Sequence, residues 1–223
     1  MYKIKKMDLL ISIYIFCVMI SELMGAKTFP LFSIGNFKIS SSVAILVFPL
    51  IYATNDIVTE VFGKVRARSI IRSSLIIIFL IFLFSLLATY LPPSARFSAS
   101  EKAYDEIFTK SARLSAASLV ALAIGDFLDV LIFSKIRQKF GRKNLWLRTN
   151  LSNFIAQLSD TTIFMTLAFY ALSINFKENG IFLIGLILPY WLIKCSMSVI
   201  ETPIVYLGVN WLKKENTNES LSD

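Results

Sequence analysis

Histidine is absent from this 223-residue chain, and cysteine occurs only twice, at Cys17 and Cys195. With no imidazole, and with both thiols set in apolar runs, the chain lacks a usual zinc ligand set and implies no disulfide framework. Acidic residues are scarce too: 15 Asp and Glu stand against 23 Lys and Arg, a net charge of +8. Such an excess raises nucleic acid as a partner. The basic residues, however, lie in short segments between apolar blocks, which speaks against a continuous DNA-binding face. Glycine is thin, eight in all, and no Walker-type glycine loop is present, so any ATP hydrolysis belongs to a partner.

What the chain does have is hydrophobic residue, 56% of the total, with a mean hydropathy of +0.66. Its length suits one domain. The apolar residues fall in blocks of helical length, which predicts an all-α polytopic membrane protein: a single domain, 1–223, with a bundle of six transmembrane helices. The expected spans are 8–26, 39–62, 69–91, 114–133, 149–174 and 180–212. Lys3, Lys5 and Lys6 before the first span resemble a signal peptide, but the apolar stretch continues past Glu22 with no small-residue cleavage site. Pro30 and Gly35 punctuate the link to the second span. The third carries no charge from Ser73 to Tyr90, and Pro92-Pro93 ends it. The last block, Gly180–Leu212, has 33 residues and would measure roughly 50 Å as one helix against a core of about 30 Å. It must tilt, protrude or break, and Pro189 and Pro203 are the places to break it.

With the N-terminus inside, inner segments hold 15 Lys and Arg and outer segments 7, with Lys194 left inside the last block. The bias predicts an inner cell membrane protein with both termini cytoplasmic. The long Pro92–Ala112 connection carries Tyr104, Ile107 and Phe108 at helical spacing. Two readings follow, a solvated loop helix or an interfacial helix capping an opening. The second and fourth spans also echo each other, Ala53-x-x-Asp56 before FGKVRAR and Ala123-x-x-Asp126 before FSKIRQK, the pattern of a parallel internal duplication.

The chain is organised around polar residues at membrane depth. Asn55, Asp56 and Glu60 lie in the second span, with Asp56 and Glu60 one turn apart. Asp126 and Asp129 follow in the fourth, then Asn153, Gln157 and Asp160 as a stripe in the fifth, and Lys194 and Glu201 in the last. Ionisable residues in a span cost a few kcal/mol by insertion scales and normally face a partner or a watery cavity. Asn55, Asp56, Asp129, Gln157, Asp160 and Lys194 are therefore the substrate-binding candidates. Glu60, Asp126 and Asn153, closer to helix ends, and Glu201 are secondary ones. Glu22, near the outer end of the first span, reads as interfacial. Lys194 reads as an ion-pair partner for one of the aspartates. No catalytic residue, cofactor or metal is assigned. A carboxylate matches the adjacent N–H donors of a guanine-like edge, and Tyr52, Phe127, Phe164 and Tyr190 offer stacking faces. This chemistry permits a purine-like base without selecting it over a polyamine or an amino acid.

Pro49-x-x-Tyr52-x-x-x-Asp56 leading into Phe62-Gly63, Gly125-x-x-x-Asp129-Val130, Ser159-Asp160-Thr161 and Lys194 before Pro203 together resemble the queuosine precursor transporter family, also called the VUT family. The likeness is firmest at Asp56, Asp129, Asp160 and Lys194. It implies an importer of 7-deazaguanine bases (preQ0, preQ1 or queuine) for tRNA modification, working in the lipid bilayer. The family is similar in turn to six-helix vitamin-binding subunits that dock on an ATPase module. An ATP-driven uptake subunit is thus the alternative, and a homo-oligomer or ATPase partner stays open. Helix 1 offers only Ser21-x-x-x-Gly25 where such subunits carry spaced alanines. Two rival readings come from other classes. An intramembrane aspartyl protease would use Gly125-Asp126 with Asp56, but the neighbours of its second motif are missing. In a non-transporting scaffold, the polar residues would only lock helices together.

Overall fold

The computed structural model describes residues 5–34, 37–140, 145–200 and 202–219, of which 32–34, 37–39, 64, 126–140, 145–153, 197–200, 202 and 214–219 are described by backbone alone. Helix α1 spans Lys6–Met24, followed by strands β1 (Thr28–Ile34) and β2 (Phe37–Ser42) and a short 3-10 turn, Val43–Leu46. Helices α2 (Phe48–Tyr90), α3 (Glu101–Phe140), α4 (Leu145–Phe169), α5 (Phe176–Ile200) and α6 (Thr202–Glu219) complete the order. The protein is an all-α polytopic membrane protein with one small hairpin. Among the described residues, four stretches are long and apolar enough to cross a bilayer: Lys6–Met24, Val65–Tyr90, Glu101–Gly125 and Phe176–Ser196.

The second span differs from expectation at its start. Residues 39–47 form no α-helix; β1 and β2 pair antiparallel, with Thr28 opposite Ser42 and an irregularity between Pro30 and Phe32, and the 3-10 turn follows. The signal was present, since aromatic and β-branched residues flank Gly35-Asn36, a dipeptide suited to a two-residue hairpin loop. Ser42 fastens the hairpin to α1: its Oγ donates to the Gly25 carbonyl at 2.6 Å and accepts from Ala44 N at 3.1 Å. Pro49 then sits in the first turn of α2, where its missing N–H costs no helical bond.

The separation expected between the second and third spans is a single-residue break. Gly63 has φ 81° and ψ 167° inside α2, a region essentially restricted to glycine. Ile57 and Val58 before it and Ala67, Ile70 and Ile78 after it join one core cluster with Leu10, Tyr14 and Val18 of α1 and Val209 and Leu212 of α6. Both arms of α2 therefore pack into the same core. Phe79, Leu80, Leu83, Phe84 and Leu87 of the second arm are exposed, as expected of a helix surrounded by lipid.

The Pro92–Ala112 segment resolves into turns to Ser100 and then the first turns of α3. It is continuous with the expected fourth span of 114–133, so it forms no separate cap. Tyr104 packs on Phe108 at 4.4 Å and edge-on to Phe97 at 5.5 Å. In the last apolar block Pro189 lies inside α5, which is described to Ile200, and α6 is described from Thr202, the position between them lying outside the described residues. Pro203 falls in the first turn of α6, where proline is tolerated. The fifth span begins and ends earlier than 149–174, and buried Asn179 seals its end. Asn179 Nδ2 donates to the carbonyls of Ala171 and Ile174 at 2.7 and 2.9 Å, and its Oδ1 accepts from Ala171 N at 3.0 Å.

Candidate functional site

Five helices enclose a cavity of about 310 Å³, near the lower end of the range of about 300–1,000 Å³ usual for small-molecule sites. Helical spacing delivers its wall. Tyr14, Val18, Ser21 and Glu22 come from α1; Phe48, Tyr52 and Asn55 come from α2 at i, i+4 and i+7. Leu114, Ser118 and Ala121 of α3 repeat that spacing, and Asp160 and Phe164 of α4 face Tyr190 and Lys194 of α5.

Lys194 Nζ pairs with Asp160 Oδ2 at 3.1 Å, with side chains 14% and 32% exposed. The ammonium also lies 6.0 Å from the centre of the Tyr190 ring, close enough for a weak cation–π attraction. Two further contacts clasp α4 to α5 beside this pair. Trp191 Nε1 donates to the Phe154 carbonyl at 3.2 Å, and Cys195 Sγ donates to Gln157 Oε1 at 3.5 Å. Phe48 bridges the aromatic wall, stacked on Tyr52 at 6.0 Å and edge-on to Tyr190 at 5.4 Å.

Of the sequence-nominated residues, Asn55, Asp160 and Lys194 line this cavity. Asp56 and Glu60 are exposed and outside the cavity lining, because a one-residue step on a helix turns a side chain by about 100°. Gln157 is occupied by Cys195 and is not part of the lining. Asp126 and Asp129 fall in α3 and Asn153 in α4, with side chains outside the described residues, as is Phe127; Glu201 lies outside them altogether.

Glu22, expected at the outer end of the first span, is buried, 6% exposed, on the cavity wall, where its Oε1 accepts from Ser118 Oγ at 2.8 Å. Its position in an unbroken apolar run pointed to depth, but nothing in the sequence paired it with a serine 96 residues away.

The family model described as "Putative vitamin uptake transporter" matches residues 42–208. The chain belongs to this family. The match runs from the last residue of β2 into α6 and so takes in every helix but α1 that contributes to the cavity. Among VUT-family relatives, the "Queuosine precursor transporter" of Escherichia coli is 30% identical over 126 residues, 55% of this chain and 52% of the relative. The "Probable queuosine precursor transporter" of Haemophilus influenzae is 28% identical over 137 residues, 61% and 55% of the two chains. That of Bacillus subtilis is 29% identical over 193 residues, 86% and 79%. The chain thus spans about half the length of the first two relatives and most of the third. No solved structure matches it.

Proposed function

We propose that this protein imports a queuosine precursor, a 7-deazaguanine base (preQ0, preQ1 or queuine), across the cell membrane to supply tRNA modification. The observation that carries the reading is the aromatic-walled cavity holding the Lys194–Asp160 pair in a chain of a transporter family. The relatives' names supply the substrate class. A cavity of about 310 Å³ accommodates one small ring system. Phe48, Tyr52, Phe164 and Tyr190 offer faces on which a flat base stacks, and Asn55 offers both a donor and an acceptor.

We assign substrate contact at this cavity to Asn55, Asp160 and Lys194, and on sequence grounds alone extend the proposal to Asp129; Asp56 and Gln157, outside the lining, are proposed only for a different stage of passage. The charge distribution supports a single six-helix domain in the inner membrane with both termini cytoplasmic. The test is uptake in cells that cannot make queuosine, supplied with each base in turn. Queuosine should appear in tRNA only when the chain is expressed. Equal incorporation with and without it refutes import.

A further inference from the structure

Glu22 has fewer partners than its burial calls for. Oε1 accepts one hydrogen bond from Ser118 and Ser115 stands beside the carboxyl group, whereas Oε2 is buried and makes no hydrogen bond within 3.5 Å among the described residues. No lysine or arginine among them pairs with it either; Lys194 is engaged with Asp160. An under-satisfied carboxylate in an apolar wall is costly unless something supplies donors. That wall belongs to the cavity, and across it stand Tyr52, Asn55, Phe164 and Tyr190.

We propose that Glu22 is the specificity-determining carboxylate of this cavity, accepting two adjacent N–H donors from a flat heterocycle, a ring N–H and the exocyclic amine beside it. The proposal rests on the reading of the chain as a transporter of 7-deazaguanine bases, whose edge has that pair of donors. Each carboxylate oxygen accepts more than one hydrogen bond, so the Ser118 contact stays in place and orients the group while the ligand binds. Asp160 is the other acid on the wall among the described residues, and Lys194 already offsets its charge at 3.1 Å. The aromatic rings hold the heterocycle by its faces, leaving its edge to Glu22.

The test measures binding of 7-deazaguanine and 7-deazahypoxanthine, which lacks the exocyclic amine, to the purified full-length chain, wild type and Glu22→Gln. The wild type should prefer 7-deazaguanine by about 10- to 100-fold, the worth of one charge-assisted hydrogen bond. In Glu22→Gln the preference should shrink to within about threefold, chiefly through weaker 7-deazaguanine binding. The ratio within one preparation is independent of how much of it folded, and the wild-type ratio needs no variant at all. A wild type that binds both bases equally, or binds neither, overturns the assignment, as does a Glu22→Gln ratio equal to wild type. Import is scored separately by queuosine in tRNA. If the ratios come out as expected but no queuosine forms, the transport reading falls and the role of Glu22 stands.

Discussion

Lys194 and Asp160 are the residues whose individual replacement says most about the cavity. Each is partly shielded, so removing one leaves the other charged and poorly solvated. Lys194→Met should destabilise the protein by about 1–3 kcal/mol, less than for a fully buried pair because Asp160 keeps some solvent contact. Asp160→Asn should cost less, since asparagine still accepts from the ammonium. Adding Asp160→Asn to Lys194→Met should restore part of the lost stability, measured as the thermal midpoint in detergent. A double variant no better than Lys194→Met shows that the pair is not coupled, and its role at the site then fails as well. At this scale the sequence was informative about chemistry and poor about direction. It placed acids and a lysine at membrane depth. Which of them share a cavity depends on the rotation of each helix about its axis. A step of one residue separates Asn55 on the wall from Asp56 outside it.

The elements are decided by two glycines. Gly63 breaks α2 with φ 81°, and a Cβ there would meet nothing within 4 Å. Gly63→Ala should therefore destabilise through the backbone alone, by about 1–3 kcal/mol. Gly180→Ala, equally open but in α5, should be neutral or stabilising by about 0.5–1 kcal/mol. Equal thermal midpoints for the two variants would show that the break at Gly63 is not a constraint. Gly208 acts through space instead. A Cβ on it would lie 2.9 Å from Ile57 Cγ1, so α6 crosses α2 at that point with no room for a side chain. Gly208→Val should lower the thermal midpoint, and Ile57→Ala should recover part of the loss. Absence of recovery places the clash elsewhere. Apolar periodicity and prolines located most helices, yet the expected second span, 39–62, takes in the end of β2 and the 3-10 turn. Phe37 to Val47 is apolar enough for either structure. The choice went to the hairpin, which Ser42 ties to the end of α1.

For the whole molecule, the charge asymmetry predicts orientation. Cysteines introduced between Ser98 and Lys110 should react with an impermeant thiol reagent in intact cells, and Arg142→Cys should react only after permeabilisation. Labelling of Arg142→Cys from outside overturns the six-crossing arrangement. Membrane residence and helical class were legible in the sequence because hydropathy and helix length are local properties that the bilayer reads segment by segment. The quoted motifs carried the family likeness for the same reason, since they are short and lie in order along the chain. The cavity is a different kind of object. Its wall joins Glu22, Asn55, Ser118, Asp160 and Lys194, residues from five helices that meet only through packing. Tertiary structure alone buried Glu22 beside Ser118 and gave Lys194 to Asp160, because side-chain contacts across a bundle depend on helix rotation and crossing, which no single segment encodes.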